Sequence, residues 1–259
     1  MVNEEILNIL AAQGIKKGDI LLVSSDVTQL ILNLCGGIKN FNKRIAKKYC
    51  NDIIDTLQEL IGKEGTLLFP TYNWGWCKGK PFIYEKTLGE TGALGNTALK
   101  REDFKRTRHP IYSFAVWGKD QELLDNLENV DSFGEDSPFA YLYHSHAKNL
   151  FIDVEEFYTF SHYVEESVGV YYRFIKKFKS CYEVNSEQSE RTYSMYVRDL
   201  DINVQNNIPL DLFEEKGCLQ YFKLFNVKMG IIDMYSSFKA VKDDILYNHS
   251  KNLIKLPNK

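Results

Sequence analysis

The chain has 259 residues, of which 44% are hydrophobic and 26% charged, as in an ordinary globular protein. A formal net charge of −3 is the opposite of the basic footprint that phosphate backbones select, so we expect no nucleic-acid partner. No stretch reaches the roughly 18 uncharged apolar residues of a membrane span, and the N-terminus is acidic where a secretory signal is basic. We therefore expect no membrane partner and a cytoplasmic location.

Amphipathic and buried segments alternate along the chain. A helix is predicted at Asn3–Gln13 and a buried strand at Asp19–Val23; helical spacing then predicts a helix at Ala46–Ile61, followed by a buried strand at Gly65–Phe69. The later predicted elements are strands at Tyr112–Trp117, Asn149–Val154, Val170–Val184, Thr192–Arg198 and Lys228–Met234, and helices at Asp120–Asn129, Thr159–Val168 and Phe238–Tyr247. This alternation indicates an α/β layer architecture.

The organisation between these elements is simple. No linker rich in Pro, Gly or Ser and no internal repeat divides the sequence, so we predict a single domain over residues 1–259. The segments Asn33–Lys48 and Tyr72–Thr91 are poorly periodic and are predicted to be long loops. Five cysteines are scattered without zinc-site or C-x-x-C spacing, so we predict reduced thiols and no metal site.

The first candidate cluster precedes the strand predicted at Tyr112. It contains Arg106, Arg108 and His109, followed by Ser113. Guanidinium groups match the paired oxygens of phosphate or carboxylate, so an anion-binding role is one interpretation. Surface arginines and a histidine packed before a turn give the same pattern, and both interpretations stay open.

The second cluster is the spacing H-x-x-E formed by His162 and Glu165 on the helix predicted to begin at Thr159. Residues three apart share a helix face, so the carboxylate can hold one imidazole nitrogen protonated and leave the other to accept a proton. The alternative is an ordinary ion pair that faces solvent.

The third cluster lies at the ends of the first two predicted strands. Ser24 and Ser25 end one strand, and Thr71 and Tyr72 follow the other. Ligands of α/β sheets bind outside the carboxyl ends of strands, although capping and turn formation explain the same residues. A minority of the aromatic residues is expected to form a stacking wall for a ring-shaped ligand; the candidates are Tyr72, Trp74, Trp76, Tyr141 and Tyr143.

Six segments in this order resemble the aminoglycoside 3-N-acetyltransferase family, and the resemblance spans roughly Ile6 to Ala240. The segments are GDILLVSS (Gly18–Ser25), EGTLLFPTY (Glu64–Tyr72), TGALGN (Thr91–Asn96), RTRHPIYSFAVWG (Arg106–Gly118), FGEDSPFAYL (Phe133–Leu142) and FYTFSHYVEE (Phe157–Glu166). The resemblance implies layered helices around a central mixed or antiparallel β-sheet, and an N-acyltransferase that uses acetyl-coenzyme A and needs no metal.

The resemblance also implies roles for particular residues. His162 is expected to be the general base, with Glu165 orienting it, and His109 and Ser113 are expected beside the cofactor. Further cofactor contacts are assigned to Ser24, Ser25, Arg106 and Arg108, and substrate contacts to Thr71, Tyr72, Trp74 and Trp76. The candidates for stabilising the oxyanion are the hydroxyls of Ser25 and Ser113.

The expected acceptor is a small-molecule amino sugar. The modest net charge and the aromatic residues favour a nucleotide-linked amino sugar, whose base stacks on aromatic faces. Three alternatives stay open: a polycationic aminoglycoside as acceptor, a non-catalytic member that only binds its ligands, and transfer of an acyl group other than acetyl. Val23 stands where many family members carry a histidine, so any role of that histidine is absent here. We expect a monomer or a homodimer.

Overall fold

The computed structural model describes residues 2–154 and 158–255. Its α-helices are α1 Val2–Ala12, α2 Thr28–Leu34, α3 Lys43–Ile61, α4 Ala93–Ala98, α5 Gln121–Asp125, α6 Pro138–His144, α7 Ser161–Val168, α8 Leu210–Glu215 and α9 Met234–Asn248. Its strands are β1 Ile20–Ser25, β2 Thr66–Pro70, β3 Phe82–Ile83, β4 Lys105–Arg106, β5 Phe114–Gly118, β6 Lys148–Ile152, β7 Arg173–Val184, β8 Glu187–Arg198, β9 Gln205–Asn206, β10 Leu219–Leu224, β11 Val227–Asp233 and β12 Ile254–Lys255. Short 3₁₀ helices lie at Ile38–Asn40 and Trp76–Lys78.

Seven strands form the main sheet in the order β10-β11-β6-β1-β2-β5-β4. The central strands β6, β1 and β2 are parallel to one another, because α2 and α3 cross over between β1 and β2. The strands on either side are antiparallel. The predicted α/β architecture around a mixed sheet is therefore confirmed, and the carboxyl ends of three strands meet at one edge.

Alternate residues of the central strands pack into two cores on opposite faces of the sheet. Leu21 and Leu67 face an aliphatic core that α1 and α3 complete. Leu22 and Leu68 face a second core, rich in Phe and Tyr, to which α6, α7 and α9 contribute. Burying each leucine contributes about 1.5–3 kcal/mol, which explains why these uninterrupted apolar runs become central strands.

A long hairpin lies beside the aromatic face. β7 and β8 pair from Arg173 with Arg198 to Val184 with Glu187. Both turn residues, Asn185 and Ser186, have positive φ, as in the two-residue turns whose twist matches paired strands. β3 adds to β7 to complete a three-stranded sheet, and β9 pairs with β12 separately.

Several boundaries differ from the predicted ones for local reasons. α3 begins at Lys43, ahead of the predicted Ala46, because the Asn42 side chain caps it by accepting from two backbone N–H groups. β8 begins at Glu187 and not at the predicted Thr192. Its first half is polar and exposed, so no alternation of apolar residues predicts it, and it is ordered by pairing with β7.

Other predictions were wrong in extent. The helix predicted at Asp120–Asn129 ends at Asp125, where the side chains of Asn126 and Asn129 bond to nearby backbone carbonyls and compete with helix formation. α7 begins at Ser161 after Phe160, so Thr159 does not cap it. The two segments predicted to be loops contain the 3₁₀ helices, β3 and the start of α3. Five further elements were not predicted, because their sequences lack a clear hydrophobic periodicity: α2, α4, α6, α8 and β10. No helix within 2–154 and 158–255 is long and apolar enough to cross a bilayer.

A glycine controls the pairing of β2 with β5. Gly118 has a φ of +108°, and a Cβ atom there would lie 2.1 Å from the carbonyl oxygen of Gly65. We expect Gly118→Ala to lower the free energy of unfolding by about 3 kcal/mol or more, because it adds a backbone clash to an unfavourable φ. Gly14→Ala is the control, since Gly14 has a φ of +86° but open space around it, and should cost only about 1–2 kcal/mol. Equal losses in urea unfolding would contradict the close-approach argument.

Candidate active site

A cavity of about 390 Å³ opens at the edge where the central strands end. Its lining is mainly apolar, with a small number of polar groups, as in most ligand pockets. The lining residues are Leu22, Val23, Ser24, Ser25, Pro70, Tyr72, Trp74, Glu90, Thr91, Gly92, Gly95, Phe139, Asn149, Val154, Thr159 and Phe160. The cavity therefore lies where α/β sheets usually bind ligands.

Local sequence explains how this edge is built. Ser24 donates a hydrogen bond to Asn149 Oδ1 at 3.2 Å, which ties the end of β1 to β6. The T-G-A-L-G-N segment places Gly95 against β2, where a Cβ atom would lie only 2.3 Å from the carbonyl oxygen of Pro70. Glycine is needed at that position because any side chain would push the segment away from the strand.

The predicted cavity contacts divide into two groups. Ser24, Ser25, Tyr72 and Trp74 line the cavity, where a bound ligand would meet them. Trp76 does not line it. The Trp76 indole is buried beneath the hairpin and donates to the carbonyl of Phe178 at 3.1 Å, so it supports β7.

His162 and Glu165 form a close pair on α7. His162 Nδ1 lies 2.6 Å from Glu165 Oε2, and the imidazole is 25% exposed while the carboxylate is 3% exposed. A carboxylate only accepts, so the proton lies on Nδ1 and Nε2 is left to accept a proton. The solvent-facing ion pair that the sequence left open does not occur, because Glu165 is buried.

Two further residues hold the Glu165 carboxylate. The Tyr172 hydroxyl donates a hydrogen bond to Oε1 at 2.9 Å. Arg173 Nε lies 2.9 Å from Oε2 and forms an ion pair with it, but the Nε–H group does not point at that oxygen and makes no hydrogen bond to it. Burial raises the pKa of Glu165, but the hydrogen bond from His162, the charges of His162 and Arg173, and the bond from Tyr172 outweigh burial. The pKa of the carboxyl therefore lies below its ordinary value, and Glu165 is ionised at neutral pH.

The imidazole is one aromatic ring away from the cavity wall. His162 packs edge-on against Phe133, with ring centroids 5.6 Å apart, and Phe133 in turn contacts Phe139, which lines the cavity. Thr159 and Phe160, which precede α7, also line it. Phe157, which the family resemblance includes, lies outside the described residues.

A second pair of carboxyls lies near His162. Glu166 follows His162 by four positions on α7, so the two side chains share a face, and Asp131 lies against Glu166. Asp131 is held by Ser194 Oγ at 2.9 Å and by the N–H of Phe133 at 3.2 Å. Burial, the charge of Asp131 and the contact with its carboxyl raise the pKa of Glu166 to about 8. Two carboxyls in contact cannot both ionise readily, so Glu166 stays largely protonated near neutral pH.

Arg106 is placed in a buried network, away from the cavity. Its guanidinium is 4% exposed and donates to Ser113 Oγ at 3.0 Å and to the carbonyl oxygens of Tyr84 and Thr87. Burial lowers the pKa of Arg106 to about 10, so it stays charged. Its donors are occupied by loop carbonyls, and this placement does not support the predicted phosphate contact.

Three other predicted site residues belong to the same buried region. Ser113 accepts from Arg106 and donates to the carbonyl of Thr71 at 3.1 Å, and the Ser113 and Thr71 hydroxyls lie 2.8 Å apart. His109 accepts the N–H of Ile111 at 3.3 Å, and burial lowers its pKa to about 3, so the ring is neutral. These fully buried groups hold the turn before β5, so their predicted catalytic and cofactor contacts lack access to a ligand.

Arg108 is the exposed member of the first cluster. Its Nε donates to the carbonyl of Asp125 at 2.8 Å, and its side chain is 39% exposed. Of the two arginines predicted to contact phosphate, Arg108 is the one whose side chain reaches solvent.

Sequence reasoning missed several residues of this site. Tyr172 and Arg173 lie near the start of the strand predicted at Val170–Val184, and Asp131 lies in an irregular segment, so none has a local pattern that indicates contact with α7. Asn149 lies within a predicted buried strand. The signal that was available is spacing: Glu166 is four residues after His162, and that spacing places both on one helix face.

The fold and the pair together define the class of protein. This is an α/β protein with a mixed sheet that carries an imidazole–carboxylate pair beside a cavity at the carboxyl edge of its central strands. The sequence profile described as aminoglycoside 3-N-acetyltransferase matches residues 36–243. The chain belongs to this family of N-acetyltransferase enzymes, which confirms the resemblance of the six ordered segments.

Individual relatives are more distant. The SPbeta prophage-derived aminoglycoside N(3')-acetyltransferase-like protein YokD of Bacillus subtilis (strain 168) is 25% identical over 163 residues. This match covers 54% of the chain and 55% of YokD, so it spans about half the length of that relative.

Solved structures match over almost the whole chain. The aminoglycoside acetyltransferase AAC(3)-Xa has a TM-score of 0.75 at 18% identity, covering 94% of this chain and 93% of that one. The YokD structure from Bacillus subtilis has a TM-score of 0.75 at 18% identity, with coverage of 97% and 95%. AAC-IIIb, solved as a binary complex with CoASH, has a TM-score of 0.74 at 17% identity, with coverage of 95% and 97%. At these identities the likeness establishes the fold.

The placement of Arg106 leads to a test. We expect Arg106→Met to lower the free energy of unfolding by about 3 kcal/mol, because it leaves buried carbonyls without a donor, while the affinity for coenzyme A stays the same. The control Arg108→Met should change stability by less than about 0.5 kcal/mol. Urea unfolding and calorimetric titration with coenzyme A measure both effects. A fully stable Arg106→Met protein that no longer binds coenzyme A would contradict the structural role.

The raised pKa of Glu166 predicts a pH-dependent stability. From about pH 4.5 to about pH 8 the folded protein keeps a proton that the unfolded chain has released, so the free energy of unfolding falls as pH rises. Glu166→Gln should remove part of this fall and raise Tm above pH 8 by about 2–4 °C, or roughly 1 kcal/mol for a partly exposed group. Glu59→Gln, at an exposed position of α3, is the control. Parallel Tm–pH curves for Glu166→Gln and the unaltered protein would rule the effect out.

Proposed function

We propose that this protein transfers the acetyl group of acetyl-coenzyme A to an amine of an aminoglycoside, with His162 as the general base. The observation that carries the proposal is the buried pair of His162 and Glu165 in a chain that belongs to the aminoglycoside 3-N-acetyltransferase family. The CoASH complex of the structurally similar AAC-IIIb supports coenzyme A as the carrier of the acyl group.

The chemistry follows from the state of the acceptor. A sugar amine is largely protonated near neutral pH and must lose a proton to attack a thioester. Nε2 of His162 accepts that proton, and Glu165 stabilises the resulting imidazolium through Nδ1–H. The amine nitrogen then forms a bond to the acetyl carbon and releases its second proton to solvent, while the C–S bond breaks and coenzyme A leaves as its thiol after taking up the proton held by His162. The products are the amide, the thiol and one proton. A positioned base of this kind contributes roughly 10²–10⁴-fold.

The cavity at the sheet edge is the proposed site of the thioester arm of acetyl-coenzyme A. Its apolar walls suit the methylene groups of this narrow arm, and Ser24, Ser25 and Thr91 provide polar groups for its amides. Ser25 is the better candidate for stabilising the oxyanion, because it lines the cavity while Ser113 is fully buried.

The carboxyls beside the base favour a polycationic acceptor. Among the residues that the structure describes, neither Glu166 nor Asp131 has a basic side chain within ion-pair distance, and one Glu166 oxygen is buried without a hydrogen bond. A second ammonium group of an aminoglycoside would compensate the charge of this pair, whereas the diphosphate of a nucleotide-linked sugar would be repelled by it. The structure and the family thus favour the aminoglycoside over the nucleotide-linked amino sugar that composition alone suggested.

The test is an assay of thiol release from acetyl-coenzyme A. We expect turnover with kanamycin- and gentamicin-type aminoglycosides, little with nucleotide-linked amino sugars, and a loss of about 10²–10⁴-fold in His162→Asn with unchanged binding of coenzyme A. The control is His144→Asn, which alters an exposed histidine of α6. Turnover limited to nucleotide-linked sugars would overturn the acceptor assignment, and an undiminished rate in His162→Asn would overturn the base.

A further inference from the structure

The buried carboxylate of Glu165 is held from outside its own helix. α7 ends at Val168, the next residue, Gly169, turns the chain back with a φ of +76°, and β7 begins at Arg173. This return brings Tyr172 to Oε1 and Arg173 to Oε2 of the carboxylate, each at 2.9 Å. We call Tyr172 and Arg173 the Tyr–Arg clamp.

We propose that the Tyr–Arg clamp is a pair of positioning residues that keeps His162 able to accept a proton, an inference that rests on the proposed function. Arg173 Nε and His162 Nδ1 both lie within 2.9 Å of the same oxygen, Oε2. A guanidinium at this position stabilises the carboxylate and also opposes a second positive charge on the neighbouring imidazole. Glu165 therefore orients His162 without holding it permanently as an imidazolium.

The carboxylate alone would be a poor partner for a base. A buried, unpaired carboxylate 2.6 Å from an imidazole favours the charged imidazolium strongly, because their attraction is weakly screened there. Protonated His162 cannot accept a proton from the amine. The hydroxyl of Tyr172 acts in the same direction as Arg173, but more weakly, by drawing negative charge towards Oε1 and fixing the rotation of the carboxylate.

The clamp is itself anchored by other elements. The Arg173 side chain is 5% exposed, and its Nη2 donates to Asn206 Oδ1 of β9 at 3.3 Å. Its backbone pairs with Arg198 at the open end of the hairpin. Because two sheets set the position of Arg173, its guanidinium has little freedom to leave Glu165.

The other charged groups near the pair act against the clamp. Glu166 lies on the same helix, Asp131 belongs to the segment before Phe133, and Tyr196 of β8 lies close enough to sense Glu165 and Glu166. The two further carboxyls favour an imidazolium, as Glu165 does. Of the described residues, Arg173 is the cation in contact with Glu165 that opposes them.

The test combines a pH profile with a titration that needs no activity. We expect Arg173→Met to move the acidic limb of kcat/KM to higher pH by about one unit, Tyr172→Phe to move it less in the same direction, and Arg173→Lys to return it towards the original profile. Long-range ¹H–¹⁵N spectra of the His162 ring, assigned with His162→Asn, should show the same displacements of the titration midpoint in the protein without substrate.

Two controls separate this role from a structural one. Arg198→Met removes a guanidinium from the same end of the hairpin and should move neither the acidic limb of kcat/KM nor the titration midpoint of the His162 ring. The pH profile of Glu166→Gln identifies the part of the kcat/KM profile that depends on Glu166. Unmoved midpoints in folded Arg173→Met and Tyr172→Phe would overturn the proposal, and Tyr172→Phe alone decides it if Arg173→Met does not fold. If no acetyl transfer is found in the unaltered protein, the proposed function fails, while the ring titration still decides the clamp.

Discussion

The carboxylate of Glu165 is ionised in a place that water scarcely reaches, and the arrangement of the site depends on how that charge is compensated. A buried charge is tolerated only when its partners surround it, so His162, Tyr172 and Arg173 must all be brought to one pair of oxygens. These partners belong to α7 and to the beginning of the hairpin, and Arg173 extends the contact to β9. The orientation of the imidazole is therefore a property of three elements packed together and not of one helix turn.

A second buried network, centred on Arg106, resembles the first in its chemistry but serves the scaffold. Its guanidinium joins Ser113 to the carbonyls of the loop that follows β2. Both networks contain polar residues from the ordered family segments, and both are nearly closed to solvent. What separates them is access: His162 retains an exposed face, whereas Ser113 and His109 do not. Residues that share a family motif thus divide between a partly exposed pair and a buried network that holds the sheet edge.

The environment of His162 also supports the proposed acceptor. Tyr72 and Trp74 line the cavity, and aromatic faces stack on many kinds of ring and so discriminate poorly between them. Carboxyls are more selective, because a polyamine relieves the repulsion between Glu166 and Asp131 and a phosphate increases it. Net charge is a weak guide to such a preference, since the field that a ligand meets depends on the few charges that lie beside it.

Sequence by itself was sufficient for the central parts of this protein. An α/β fold could be predicted from the apolar runs of β1 and β2 and the periodicity of α3, because burial and helical spacing depend on residues that are close in sequence. The six ordered segments were enough to predict the family and the pair of His162 and Glu165. Tertiary structure alone decided that Arg106, His109, Ser113, Thr71 and Trp76 are buried away from the cavity, that β8 continues through a polar half, and that Arg173 reaches Glu165. Each of these depends on which distant segment lies opposite, as when Asp131 meets Ser194 or Trp76 meets Phe178. Such contacts form only when the whole chain packs, so the residues near either partner in the sequence do not predict them.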